Sequence, residues 1–434
     1  MPRILIVGGG FAGSDLARRL QKGLSRDWEI CIYSAENHLV FTPLLPEVVG
    51  GAINPLHVVW PIREMAAGVT CRTAEVRKFD LEANEIEYVG PLGEVLRDQY
   101  DQLVLCCGLA VKLDIVPGMD EFGWPLKTLG DSFALRNHVV QQLERAEAEP
   151  DAERRAGLLS FAVVGGGFTG VEVAGALRDM VSESARLYSR FDAEDIQVTI
   201  LEGAPRILGP LAESLAAYAH RQLEKAGVII RLGVQVQSVS SNGVVFADGE
   251  ELKARTVIAS VGNEPQGLLA DTPLKSERGR LVVDGEMRVS GQENVYAIGD
   301  CAAVPNASDD SISPTLAQFA VQQSKRLAKN LIAESRGKAA QPFSYKTRGM
   351  FAALGHGKAV GSPYGLRVTG WIAYLFWRGI YWSKMPSFSR KVQIAGDWIS
   401  GLFFRRDVVE ISTMRTPRGS LQPARPPAEE KPHP

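Results

Sequence analysis

Two glycine clusters of nearly identical sequence are the residues of this 434-residue chain best suited to do chemistry. GGGFAG (Gly8 to Gly13) follows the apolar run Arg3 to Val7, and GGGFTG (Gly165 to Gly170) follows Leu159 to Val164. Each places glycines in a GxGxxG pattern between an expected buried strand and an expected helix. The first glycine allows the tight turn, the second lets the backbone approach a pyrophosphate, and the third lets helix and strand pack closely. The helix N-terminus then offers unpaired N–H groups and the positive end of its dipole to the phosphates. Gly8, Gly10 and Gly13 are therefore candidate contacts to one dinucleotide, and Gly165, Gly167 and Gly170 to a second. One such motif is weak evidence; two in matching strand-to-helix context are not.

The polar residues near these motifs carry alternative readings. Glu202 ends the second strand of the second unit (VTILE), where a carboxylate binds ribose hydroxyls and repels a 2′-phosphate. That favours NADH over NADPH, although Arg206 four residues on weakens the inference. The first unit ends at Tyr33-Ser34 without an acid; Glu36 could substitute or be a solvated side chain. Asp300, in NVYAIGDCA, could accept a hydrogen bond from a flavin ribityl chain or cap a helix. Glu172, on the first turn after the second motif, could be a ligand-side acid or a surface carboxylate favoured by the helix dipole. Gln318 and Gln322 are spaced i, i+4 and share a helix face. Their amides could hydrogen-bond a ligand carbonyl without adding charge, or simply form a polar helix face.

The elements that must position these residues read as βαβ units: strand Arg3–Val7, helix 11–24, strand 28–34, and the same order again from Leu159. The expected fold is α/β, with two Rossmann-like dinucleotide-binding domains and a C-terminal membrane-associating segment. The expected division is 1–118 with 264–340 for FAD, 119–263 for NADH, 341–414 for the membrane-associating region, and a disordered, proline-rich tail at 415–434. The charged stretch Arg136 to Arg155 reads as an exposed helix. A formal net charge of −2 gives no global basic field for nucleic acid. Five scattered cysteines without a CxxC pair argue against a disulfide framework and a structural zinc site, so no metal is expected. Neither a signal-peptide pattern nor an apolar run long enough to span a bilayer is read.

GGGFAG, GGGFTGVE and NVYAIGD in this order resemble the pyridine-nucleotide-disulfide reductase superfamily of flavoproteins with two dinucleotide-binding domains. The stretch FTPLLPEVVGG (Phe41 to Gly51) has no cysteine where disulfide reductases carry a redox pair, so thiol chemistry is not expected. Cys106-Cys107 end an apolar strand and read as core. ENHLVFTPLLPEVVGG, Glu172, the Ala317-Gln318 and Gln322-Gln323 element, and GMFAALGHGKAVG (Gly349 to Gly361) resemble the type II NADH:quinone oxidoreductases. Ser34, Ser324 and the proline-rich end depart from that pattern. The resemblance implies FAD held by Gly8, Gly10, Gly13 and Asp300, with further cofactor contacts at Thr42, Gly108, Gly262 and Ala317. It also implies NADH on the second motif with Glu172 near the nicotinamide, and Gln318 and Gln322 facing the acceptor.

Leu366 to Phe404 mixes Trp371, Trp377, Trp382 and Trp398 with Arg378, Lys384, Arg390 and Lys391. Aromatic and basic residues in a segment too short to span suit an interfacial helix; a dimer interface or domain packing is the competing reading. The expected activity is transfer of electrons from NADH through FAD to a membrane quinone, without proton pumping, at the cytoplasmic face of the cell membrane, with a homodimer compatible. A soluble reductase serving a ferredoxin-type protein, and a flavin or NADH sensor, are the alternatives.

Overall fold

The computed structural model describes residues 1–270 and 272–410; the tail expected to be disordered lies outside the described residues. Two five-stranded parallel sheets form the frame. The first has the strand order Val295–Ala297, Gln102–Leu105, Arg3–Val7, Glu29–Ser34, Thr70–Thr73. The second has Gly123–Pro125, Thr256–Ala259, Ser160–Val164, Gln197–Glu202, Val228–Leu232. Their central strands are buried almost throughout, Ile4 to Val7 in one and Ser160 to Val164 in the other. That is what a parallel sheet covered by helices on both faces demands of its sequence.

The repeat reaches well beyond the glycine motif. Each central strand runs into a helix, Phe11–Gly23 or Phe168–Ala185, and the next strand pairs beside it in the same register, Val7 opposite Tyr33 and Val164 opposite Leu201. Each half also carries a three-stranded antiparallel meander, Glu75–Asp80 to Val95–Gln99 in the first and Val236–Ser240 to Glu251–Lys253 in the second. The halves are stitched together where Leu109–Val111 pairs antiparallel with Asn263–Pro265.

The stretch read as an exposed helix is not one. It lies in two helices, Leu129–Ala148 and Ala152–Leu158. Leu135, Val139, Leu143 and Ala146 of the longer helix are fully buried. Their helical spacing supplies an apolar stripe that the surrounding charges obscure. Thr128 and Asp131 form a capping box at its start.

The C-terminal region adds an antiparallel sheet, Phe351–Ala353, Ala359–Gly361 and Val368–Thr369, followed by helices Gly370–Lys384 and Phe388–Phe403. Tyr374, Trp377, Ile394 and Trp398 bury one side of this pair in the core of the second domain. The opposite side leaves Trp371, Leu375, Phe376, Ile399, Leu402 and Phe403 exposed, from 50% to 77%. Among the described residues no helix is long and apolar enough to cross a membrane.

Candidate functional site

The two glycine loops have the same geometry, and the three glycines of each are needed for different reasons. Gly8 and Gly165 adopt φ of +114° and +113°, which residues with a Cβ avoid. A Cβ on Gly13 or Gly170 would lie 1.9 Å from the carbonyl oxygen of Gly8 or Gly165, so the helix could not approach its strand. Gly10 and Gly167 differ: a Cβ there would meet nothing within 4 Å. Protein packing does not explain these two glycines, whereas a ligand lying against the backbone does. Both helices start without a side-chain cap and without an acid in the first turn, which leaves their N–H groups for an anion.

Both helix starts open into one cavity of about 1120 Å³. Gly8, Gly10, Glu36, Thr42, Gly108 and Asp300 line its first-domain side. Phe168, Thr169 and Glu172 enter from the second domain, Ala317 and Gln318 from the helix Ala317–Glu334, and Trp377, Tyr381 and Lys384 from the C-terminal region. Gly13, Gly165, Gly167, Gly170, Glu202, Gly262 and Gln322 lie outside this lining. Gly262 occupies in the second domain the place that Gly108 holds in the first, just past the strand that pairs with the central strand on the side away from its βαβ partner, and both have positive φ.

Asp300 is half-buried, and its carboxyl accepts no hydrogen bond among the described residues. Burial raises its pKa, opposed by the nearby charges of Lys127 and Arg280. The backbone of the preceding residue is held by Gln323, whose Oε1 accepts from the Gly299 N–H at 2.8 Å. A half-buried acceptor without a donor, lining the cavity beside a glycine loop with open space, fits a bound dinucleotide with hydroxyls to offer.

Glu202 is pinned by the N–H groups of Gly166 at 2.6 Å and Ala204 at 2.8 Å. Its carboxylate thus stands at the mouth of the second glycine loop. Arg206 donates to the Gly209 carbonyl at 2.8 Å. Glu36, by contrast, is well exposed, with its nearest ion partner His38 at 3.9 Å.

Glu172 is fully buried. Its Oε1 accepts from the Ala353 N–H at 3.0 Å and the Trp377 indole N–H at 3.1 Å. Burial in these surroundings outweighs both bonds and pushes its pKa up to about 8, with Glu47 adding to the rise. Glu172 is therefore neutral near pH 7. Glu47 is a second buried acid; its Oε2 accepts from the Trp398 indole at 2.7 Å, and burial raises its pKa too. Two Glu–Trp pairs thus fasten the two C-terminal helices to the nucleotide-binding core.

Gln318 donates to Thr347 Oγ1 at 3.1 Å and accepts from the Tyr345 hydroxyl at 3.3 Å. Its amide stands at the cavity wall, held by the segment that leads into the C-terminal sheet. Gln322 is half-buried one turn further on. Sequence reasoning missed Lys127, Thr128, Tyr381 and Lys384 as cavity residues, and Gln323 as the support of the backbone just before Asp300. The signal available for Gln323 was its place in the glutamine element; Tyr381 and Lys384 sit in a segment read only for its surface. All five cysteines are free thiols. Burial raises the pKa of Cys106 and Cys107 well above the ordinary value, which disfavours their thiolates, although both residues border the cavity.

Comparison with known proteins agrees with this architecture. Residues 2–324 match the pyridine nucleotide-disulphide oxidoreductase family, and residues 347–407 match the NDH2 C-terminal domain. The chain is 29% identical over 427 residues to the type II NADH:quinone oxidoreductase Ndh of Mycobacterium tuberculosis, covering 94% of this chain and 90% of that protein. It is 30% identical over 446 residues to the mitochondrial internal alternative NAD(P)H-ubiquinone oxidoreductase A1 of Arabidopsis thaliana, covering 94% and 86%. Its fold matches NDH2 from Plasmodium falciparum, solved in complex with NADH, with a TM-score of 0.87 at 19% identity, covering 94% of this chain and 99% of that one. With its paired glycine loops and the two C-terminal helices fastened over the cavity between them, the chain belongs to the pyridine nucleotide-disulphide oxidoreductase family and carries that family's NDH2-type C-terminal domain.

Proposed function

We propose that this chain oxidises NADH through bound FAD and reduces a membrane quinone, without proton pumping. The observation that carries the reading is the shared cavity: two dinucleotide-type helix starts converge on it, and a third, aromatic wall comes from the C-terminal region. FAD would lie along Gly8, Gly10, Thr42, Gly108 and Asp300; NADH would lie along Gly165, Gly167, Gly170, Glu202 and Gly262. When bound, the flavin accepts a hydride and returns two electrons.

The chain's own residues orient and exclude. Glu202, fixed by two backbone donors, would take the adenosine ribose hydroxyls of NADH and repel a 2′-phosphate. Glu172, neutral at pH 7, adds no negative charge beside the dinucleotide. Gln318 would offer its amide to the acceptor, and Gln322 would support it from the next turn. Lys384, whose pKa burial lowers, stands where a proton could be delivered to the acceptor.

The exposed apolar side of helices Gly370–Lys384 and Phe388–Phe403 would enter the headgroup boundary of a bilayer, with Arg390 and Lys391 near anionic lipid. The proposed location is peripheral, at the cytoplasmic face of the cell membrane. Anaerobic stopped-flow absorbance tests the reading. Flavin bleaching by NADH followed by recovery with a short-chain quinone is expected. Bleaching without recovery would overturn the quinone assignment and favour a protein acceptor.

A further inference from the structure

A second cavity of about 970 Å³ adjoins the first, sharing Pro125 and Asp131 of its wall, but none of the glycine-loop residues lines it. It is walled by Trp124 of the edge strand Gly123–Pro125 and His138 of the helix Leu129–Ala148, whose rings stack with centroids 4.3 Å apart and planes at 29°. Gln142, one turn along the same helix, is 1% exposed. Its Nε2 meets His138 Nδ1 at 3.4 Å, while its Oε1 has no hydrogen-bond partner. The Gln142 side chain thus backs the aromatic wall from beneath, one turn from His138 on the same helix.

The rim supplies charge. Arg145, Arg154 and Arg255 face the cavity, as do Glu121, Asp131 and Glu149. The acids are partly spent: Asp131 accepts from the Lys127 and Thr128 N–H groups, and Glu149 from the Asp151 N–H. Arg255 donates to the Ser241 carbonyl at 2.9 Å. Arg145 and Arg154 make no ion pair among the described residues. Burial and the charge of Arg145 lower the pKa of His138 to about 4, so the aromatic wall stays neutral at physiological pH.

From this arrangement we infer a second small-molecule site, which takes a planar ring bearing an anionic group, such as a phosphate or carboxylate. The ring packs against the Trp124–His138 wall, and the anion reaches Arg145 and Arg154. Its occupant rests on the strand that continues through Leu126, Lys127 and Thr128 into the flavin cavity.

Adenosine monophosphate, adenosine and inorganic phosphate are suitable probes, because they separate ring from charge. Isothermal titration calorimetry on the FAD-loaded protein, saturated with NAD⁺ so that the second glycine loop is filled, should still show one AMP bound per chain. Adenosine and phosphate should each bind at least about tenfold more weakly. The double substitution Arg145→Gln/Arg154→Gln, on exposed positions, should weaken AMP by about tenfold or more while leaving the KM for NADH unchanged. Trp124→Leu should weaken AMP and adenosine alike. Absence of AMP binding under saturating NAD⁺, or AMP binding that the double substitution leaves intact, would overturn the site.

Discussion

Replacing Glu172 by glutamine should make the protein more stable at neutral pH, although the residue lies in the cavity and is fully buried. In the native state its pKa rises from an ordinary 4.5 to about 8, and the first cause is burial. Over that interval the folded chain holds a proton that the unfolded chain has released. A group with a raised native pKa stabilises fully below its unfolded value, and that contribution is lost as pH rises through the native one. The whole span corresponds to about 5 kcal/mol, and about 3 kcal/mol of it is lost by pH 7. Glutamine does not titrate, and its amide oxygen can still accept from Ala353 N–H and Trp377 Nε1. Glu172→Leu removes that acceptor and orphans both donors, at a cost of roughly 1–3 kcal/mol each.

The assay is urea unfolding of the FAD-loaded protein at pH 5, 6, 7 and 8, followed by tryptophan emission and by flavin fluorescence. The wild-type chain should lose stability relative to Glu172→Gln as pH climbs, with the curves parting by on the order of 3 kcal/mol between pH 5 and pH 7. Parallel curves would refute the reasoning, because they would mean that Glu172 ionises at an ordinary pH inside the fold. A destabilised glutamine variant at every pH would refute it as well, by showing that the carboxyl makes a contact the amide cannot.

Other consequences follow from the same geometry. Gly167→Ala should leave stability within about 1 kcal/mol of wild type but raise the KM for NADH, whereas Gly170→Ala should unfold or severely destabilise the second domain, as thermal melting and steady-state kinetics would show. Glu202→Gln should raise the KM for NADH and narrow the preference over NADPH by about tenfold or more, readable from kcat/KM with each nucleotide. Gln318→Leu should lower quinone turnover and spare flavin bleaching by NADH in single-turnover traces. Replacing Phe403 and Phe404 by serine should cut co-sedimentation with anionic vesicles while leaving NADH oxidation with a soluble dye acceptor unchanged.

What could be read in the sequence was whatever chemistry is local. The glycine loops, the buried strands before them and the strand leading to Asp300 declare themselves because turn, strand and helix signals lie within a dozen residues of one another. The environment of the acids could not be read that way. Trp377 meets Glu172 across 205 positions, and Trp398 meets Glu47 across 351. No spacing rule connects residues so far apart. Glu47 passed as one more residue of FTPLLPEVVGG, and Trp377 and Trp398 passed as membrane aromatics, although each turns its indole N–H inward. The same limit explains the helix Leu129–Ala148: its charges are adjacent in sequence, while the partner of its apolar stripe comes from elsewhere in the fold.

The duplication sharpens what the C-terminal region does. Asp15 and Glu172 occupy the same place in the two halves, each directly after a motif of the form GGGFxGx. Asp15 is ion-paired with Arg18 and Arg19 at 2.6 Å and receives the Ser324 hydroxyl at 2.5 Å. Burial opposes its charge, but these donors outweigh burial and hold its pKa below the usual carboxylate range. Glu172 meets only neutral donors, both from the C-terminal region, and is buried where it borders the cavity. Two acids at equivalent helix starts, each beside the same kind of dipole, therefore differ in charge at pH 7. The helix start cannot be the cause, since it is common to both. The difference comes from what covers each acid: the basic residues of its own helix and Ser324 in the first half, the C-terminal sheet and the Trp377 helix in the second. The C-terminal region is thus part of the electrostatics of the nucleotide cavity as well as the lipid surface proposed above. Detaching it should alter the pH dependence of NADH oxidation even in the absence of any membrane.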